Sequence, residues 1–337
     1  MLKLAFMGFR HGHILSLYDH AVQNEDVVIA GSCEEDAQTA AQLRQGDRVE
    51  LTHDNYGRML DEVDCDAVAI GDYYGKRGAI AIEALKRDKH VISDKPICTS
   101  LEELEEIASL SDRKGLKVGC QLDMRDNGKF QRIRELVQKG AIGDVHAVSV
   151  GGQHPLMFGT RPGWYFEKGK HGGTINDIGI HAVDMVPWIT GISFVRVTAA
   201  RAWNAFAAEV PYFNDAGQFM LEMANGCGVL GDVSYFMPDS MGYRLPQYWR
   251  TTLWGREGVI EASYNTPQIS LAQNGNQEVE MIAPGEGTPG GYLRSFIAEI
   301  KGDKGTVSLS TTEVIRSSRI TLKIQQAADQ GLCNIAL

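Results

Sequence analysis

Short apolar runs of strand length alternate with amphipathic stretches of helix length from residue 2 to residue 122. Runs of this kind are buried on both faces only when the strands lie parallel and the intervening helices cover the sheet. The predicted strands are 2–8 (LKLAFMG), 27–33 (VVIAGSC), a short 49–53 (VELTH), 67–72 (AVAIGD), 90–95 (HVISDK) and 117–122 (KVGCQL). Helices are predicted near 13–23, 35–44, 55–62, 76–87 and 100–113, with a further one over 126–139 leading out of the domain. The helix at 100 opens on Ser100-Leu-Glu-Glu103, a capping box.

From about residue 144 the period changes. The stretches 144–153, 195–203, 218–236, 243–255 and 258–264 read as strands and hairpins, with an Asn225-Gly226 turn, and the tail from 291 to 331 returns to helix. The pattern predicts an α/β chain in two parts. Residues 1–122 form a doubly wound parallel domain, and 123–337 form an α/β domain with a large, mostly antiparallel open sheet. The C-terminal helix, 311–331, is free to pack back on the first domain.

Charge and cysteine content narrow the function. A net charge of −10 argues against nucleic acid or an anionic membrane as the main partner. There is no 18-residue apolar run, and the opening MLKLAFMGFRHGH is too short for a signal peptide. The six cysteines are scattered without a C-x-x-C pair, which suits reduced thiols and a cytoplasmic location.

Four stretches carry candidate chemistry. In MGFRHGH (7–13), Gly8 holds the first position of a dinucleotide loop, Arg10 and His13 replace the later glycines, and Gly12 falls one place early. Either the backbone N–H groups of Gly8, Phe9, Arg10, His11, Gly12 and His13 meet a phosphate with Arg10 as an added cation, or this is an ordinary strand–helix turn. Glu34, in GSCEED (31–36), either bonds a ribose 2′-hydroxyl or, with its acidic neighbours, complements a helix N-terminus. Lys95, before Pro96 at a strand end, is either a desolvated catalytic amine or a surface lysine at a turn.

The fourth stretch is GGTINDIGIHAVDMVPWITG (172–191). Asp177, His181 and Asp184 stand at i, i+4 and i+7 of a predicted buried helix over 175–190, which puts them on one face. Buried carboxylates beside an imidazole are costly unless paired or used. A metal held by these three lacks a coherent further ligand set, because His154 and His171 fall on predicted loops, and no metal is expected.

Taken in order, the loop at 7–13, Asp94-Lys95-Pro96 and Asp177…His181 after Gly172-Gly173 resemble the Gfo/Idh/MocA family of oxidoreductases. The late WGREGVIEAS (254–263) and EVIRSSRITLKIQQAADQG (313–331) are similar to that family's closing elements. The resemblance implies a Rossmann domain, NAD as cofactor with NADP not excluded, and hydride transfer at a hydroxyl of a sugar, polyol or sugar derivative. It implies His181 as general base, Asp177 orienting the substrate and Lys95 bonding the reacting oxygen, with Asp184 a supporting or structural acid. Asp72, Tyr73 and Asp94 join the cofactor residues, and Gln121, Arg125, Arg161, Trp164 and Tyr165 are the substrate candidates.

The chain departs from the family pattern at GDYYGKR (71–77), at CQLDMRD (120–126) and at Trp164-Tyr165, all of which bear on the substrate more than on the fold. Two rival activities use the same scaffold: redox-neutral bond cleavage with bound NAD, and a non-catalytic nucleotide-binding regulator. An open sheet with more apolar positions than one helix layer covers predicts a homodimer or homotetramer through the C-terminal domain.

Overall fold

In the computed structural model, which describes residues 1–337, the parallel strands form as the alternation predicts. The first elements are β1 (Leu2–Met7), α1 (His13–Val22), β2 (Val27–Cys33), α2 (Ala37–Arg44), α3 (Tyr56–Glu62), β3 (Ala67–Ile70), α4 (Tyr74–Lys86), β4 (His90–Ser93), α5 (Leu101–Lys114) and β5 (Val118–Cys120). Their strands make one parallel sheet in the order β2-β1-β3-β4-β5. The order reverses between β1 and β3, so the loops after those strands diverge and leave a crevice at their carboxyl ends. The expected strand at 49–53 does not form. Only His53 bridges Cys33, while the Thr52 hydroxyl bonds Ser32, so a polar segment is tied on without a ladder.

The second set runs α6 (Gly128–Gln138), β6 (Val145–Pro155), α7 (Ile180–Thr190), β7 (Phe194–Trp203), β8 (Ala216–Met223), β9 (Gly228–Met237), β10 (Thr251–Gly255), β11 (Gly258–Ala262), β12 (Ile269–Gln273) and β13 (Glu280–Ile282). After these come α8 (Gly291–Lys301), α9 (Thr311–Gln330) and β14 (Cys333–Ala336). The nine-stranded sheet is ordered β13-β12-β11-β10-β6-β9-β8-β7-β14, and only β6 and β9 run parallel. Its inner face carries the helical segment 175–190 at close range. A Cβ on Gly217 would lie 2.4 Å from Ile175, and one on Gly152 would lie 2.8 Å from Ile178.

The expected strand over 243–255 is confined to its last five residues, 251–255. Pro246 cannot donate to a ladder, and Trp249 takes a positive φ of 53°, so the approach to β10 is irregular. Strands β12, β13 and β14 carried no strong apolar signal, and each lies at or near an edge of the sheet.

By contacts the chain divides into a first unit, Met1–Leu122 with Pro162–Gly172 and Gly290–Ser318, and a second unit holding the rest. The sequence reading set one boundary at 122/123. The segments 162–172 and 290–318 nonetheless belong with the parallel sheet: a Cβ on Gly119 of β5 would meet Phe296 of α8 at 2.8 Å.

Candidate active site

In the first unit, Gly8 follows β1 with φ +85°, and a Cβ there would lie 2.7 Å from the Asp72 amide nitrogen. Only glycine permits that conformation and that approach. The loop it opens is strung between neighbouring strand ends. Gly8 N–H donates to the Cys33 carbonyl at 2.9 Å, Phe9 N–H to Glu34 Oε2 at 2.6 Å, and His11 N–H to the Gly71 carbonyl at 3.2 Å. Gly12 then begins α1 with no side-chain cap, which leaves the helix start open to an anion. Arg10 reaches Asp36 at 3.5 Å and Asp72 at 4.0 Å, with its guanidinium 5.1 Å from the Tyr73 ring centroid. The Tyr56 hydroxyl and the Tyr73 N–H both donate to the Asp72 carboxylate.

Glu34 is buried, and its second oxygen accepts from Asp36 N–H at 2.7 Å. Burial raises it to about 7 against the pull of those two amides. Its carboxylate therefore braces the loop 8–13 against the end of β2.

At the end of β4, a second polar group is built around Asp94. Arg77, fully buried, donates Nη2 to Asp94 at 2.8 Å, Nη1 to the carbonyls of Lys95 at 2.7 Å and Pro96 at 3.1 Å, and Nε to the Asp72 carbonyl at 2.7 Å. His11 Nδ1 bonds the same carboxylate, and its Nε2 lies 3.2 Å from the Tyr74 hydroxyl, which in turn is 2.8 Å from the Tyr165 hydroxyl. Burial opposes ionisation of Asp94, but Arg77 and His11 outweigh it and hold the carboxyl well below the usual range. Burial likewise drives His11 down to about 3 despite the Asp94 charge, so the ring is neutral.

Lys95 is buried beside this group, and its peptide to Pro96 is cis. Trp164 stacks on Tyr165 at 4.1 Å and donates its indole N–H to the Arg10 carbonyl. Gln121, at the end of β5, is also buried, with Oε1 lacking a hydrogen-bond partner. His11, His13 and Asp94 bring potential ligand atoms within 4.8 Å of one another, but Arg77 and His11 already supply the hydrogen bonds and charge on Asp94 Oδ2.

In the second unit, the run expected as one helix begins as a π-helical turn, Ile175–Gly179, before α7. Such turns widen the backbone and recur at functional sites. Asp177 lies in the π turn and accepts from the Tyr235 hydroxyl. Gln325 Oε1 accepts from both Ile175 and Asn176 N–H, fixing the turn's start. His181 is buried with its ring 4.9 Å from that of Trp249.

Asp184 diverges from the other two and takes a bidentate pair from Arg125, at 2.7 Å for each bond. Arg125, a substrate candidate from sequence, is thus committed to a buried ion pair. Arg161 donates to the Leu156 and Pro155 carbonyls and to Tyr243, holding the segment after β6.

Three groups were missed by sequence reading: Arg77, Tyr235, and the aromatic box of Tyr235, Tyr243, Tyr248 and Trp249 around His154. Arg77 had a signal, since it stands in the GDYYGKR stretch already marked as unusual.

The first unit fits a dinucleotide. A loop opened by an obligatory glycine at position 8, an uncapped helix start, an acidic strand end and the orphaned buried Gln121 oxygen all border the crevice side of the sheet. Residues 2–122 match the family profile described as oxidoreductase family, NAD-binding Rossmann fold, and residues 130–261 match the GFO/IDH/MocA C-terminal domain. A dTDP-3,4-didehydro-2,6-dideoxy-alpha-D-glucose 3-reductase of Streptomyces violaceoruber is 24% identical over 328 residues, covering 94% of this chain and 91% of the relative. Inositol 2-dehydrogenase 2 of Saccharopolyspora erythraea is 26% identical over 227 residues, 66% of this chain and 60% of that one. The solved structure of an oxidoreductase from Thermotoga maritima superimposes with a TM-score of 0.85 at 25% identity, covering 99% of this chain and 100% of the other.

Proposed function

The chain belongs to the GFO/IDH/MocA oxidoreductases, an NAD-binding family, and from that premise we propose that it transfers a hydride between NAD and a hydroxyl-bearing carbon of a sugar, polyol or sugar derivative. The observation that carries this reading is Lys95, buried at the carboxyl end of β4 in the same unit as the dinucleotide loop and held by Arg77 through its own carbonyl. The names of the two relatives, a nucleotide-sugar reductase and an inositol dehydrogenase, support the substrate class.

When bound, NAD supplies the hydride acceptor. Gly8–His13 would hold its pyrophosphate, with Tyr73, Gln121 and the acidic end of β2 bordering it. His181 takes the hydroxyl proton as the C–H hydride departs, so one alcohol gives one carbonyl, one reduced cofactor and one proton. Asp177, steadied by Tyr235, binds a substrate hydroxyl, and Lys95 bonds the reacting oxygen. The test is reduced-cofactor absorbance with a panel of inositols, aldoses, aldonates and anhydro-sugars. His181→Ala is expected to lower kcat by about 10²–10⁴-fold, and Lys95→Met by a similar order with dinucleotide affinity retained. A wild-type level of kcat in His181→Ala would remove that residue as the base. Sugar consumption without reduced cofactor would favour redox-neutral cleavage.

Two further parts of the proposal concern the chain's setting. We place it in a reducing cytoplasm, consistent with six cysteines outside any disulfide, five of them buried. No helix is long and apolar enough to cross a membrane. We also propose a homo-oligomer through the outer face of the nine-stranded sheet. Met220, Leu230 and Trp254 are 45%, 51% and 53% exposed there, around a hollow of about 890 Å³. A monomeric mass by light scattering at micromolar concentration would remove this interface.

A further inference from the structure

Trp249 holds a backbone conformation that a tryptophan seldom takes. Its φ of 53° lies in the left-handed region, which a bulky side chain adopts only under constraint. The constraint is present on both flanks. The Tyr248 carbonyl accepts from Tyr264 N–H at 3.2 Å, and the Arg250 carbonyl accepts from Gly151 N–H at 2.7 Å, where the chain enters β10. Between these ties the Trp249 side chain is buried. Its ring abuts Gly152 of β6, where a Cβ would come within 2.8 Å of Cζ3 and 3.2 Å of Cη2. The same Cβ would stand 2.8 Å from Ile178, in the π turn that carries Asp177. Strain of this kind persists only where the surroundings over-determine it, and it collects at functional sites.

Two imidazoles meet the indole edge-to-face. The His181 ring centroid is 4.9 Å away at an interplanar angle of 73°, and that of His154 is 5.6 Å away at 88°. Aromatic pairs favour this arrangement, and an indole wedged between tied backbones holds the plane of the ring it meets. The plane matters for a base. Rotation of an imidazole about χ2 swings its nitrogens away from the proton to be taken, and χ2 is a broad torsion with no deep well of its own. We propose that Trp249 is a positioning residue for the reaction, fixing the plane of the His181 ring so that one nitrogen stays aimed at the substrate hydroxyl. This rests on the functional reading above. The left-handed backbone at 249 and the missing side chain at Gly152 are what seat the indole there.

The first test needs no substrate. Carbon relaxation in the rings of ¹³C-histidine protein, with His181→Ala and His154→Ala for assignment, reads how freely each imidazole turns. The His181 ring should be rigid in wild type and in Trp249→Phe, and mobile in Trp249→Leu. A ring equally rigid in all three overturns the proposal. The second test is a cycle measured with an active substrate. Trp249→Leu should lower kcat by about 10- to 100-fold, with KM and dinucleotide affinity within about threefold of wild type. Trp249→Phe, which keeps a ring, should recover most of the loss. In a His181→Ala background Trp249→Leu should change kcat by less than about twofold, because the ring it positions is gone. Gly152→Ala, which presses on the indole without truncating it, should follow the same pattern and carries the cycle if Trp249→Leu does not fold. A loss that persists in full without His181, or one that Trp249→Phe does not relieve, overturns the positioning role. Loss of turnover in His181→Ala without loss in Trp249→Leu removes only Trp249, whereas wild-type kcat in His181→Ala removes the functional reading on which the proposal rests.

Discussion

Glu34 and Asp94 follow parallel strands of one sheet and are equally hidden, at 1% and 0% exposure, yet they treat a proton in opposite ways. Burial penalises both anions. Glu34 is offered only two backbone amides and rises to about 7, whereas Asp94 is offered a buried guanidinium and an imidazole and stays well below the normal range. Dipoles offset part of the desolvation, and a full charge at hydrogen-bond distance reverses it. The end of β2 is thus a region whose charge changes near neutrality, and the end of β4 one whose charge is fixed.

Breaking the stronger side gives the largest effect. Arg77→Met leaves Asp94 buried without its cation and interrupts four hydrogen bonds, so unfolding in urea should show a loss of about 3–5 kcal/mol. Adding Asp94→Asn should restore part of it, because the uncompensated charge is then gone. If Arg77→Met alone costs no more than a surface substitution, the guanidinium is not what fixes Asp94.

The two regions were not equally legible in the sequence. Periodicity found β1, β2, β3 and β4, because buried parallel strands must be apolar on both faces. Chain order singled out the loop at 7–13, Lys95, Asp177 and His181 as candidates, since each stands in a short motif. The periodic pattern carried no sign of Arg77, which sits on an amphipathic helix where an arginine ordinarily faces water, nor of Tyr235, 58 residues beyond its partner Asp177. The segments 162–172 and 290–318 return to the first unit through tertiary packing that no local signal encodes. Edge strands such as β13, with the sequence EMI, are too short to show a period.

The next effect tests the contrast through pH. His11 refuses a proton in the folded chain until about 3, while an unfolded histidine accepts one below about 6.5. Stability from this group therefore falls as pH drops from about 6.5 toward 3. Glu34 has the opposite sign: the unfolded acid ionises above about 4.5 and the folded one near 7, so its contribution falls as pH rises across that window. Between about 4.5 and 6.5 the two slopes oppose, each at most about 1.4 kcal/mol per pH unit. Removing one exposes the other. His11→Gln should make stability fall with rising pH in that window relative to wild type, and Glu34→Gln should make it rise. Parallel pH curves for all three proteins would contradict the assignment of both groups.

The smallest expected effect bears on cofactor choice. Glu34 braces the loop that would hold the pyrophosphate, and Asp36 beside it already caps α2 through Thr39 and meets Arg10. A 2′-phosphate at this strand end approaches a group that is half ionised near pH 7, so discrimination against NADP should itself depend on pH. As pH rises from about 6 to 8, Glu34 gains its charge and repulsion grows, weakening NADP⁺ relative to NAD⁺ by roughly 1 kcal/mol, about fivefold. The phosphate's own ionisation, near pH 6, contributes to the same trend in any variant. Glu34→Gln separates the two, because it keeps the phosphate's titration and removes the carboxylate's. Calorimetric titration of both dinucleotides at three pH values should show a ratio that steepens with pH in wild type and much less in Glu34→Gln. Equal pH dependence in the two proteins would mean that Glu34 acts only as a brace, and selectivity would then be sought at Asp36 and Arg10, the exposed side of the same rim.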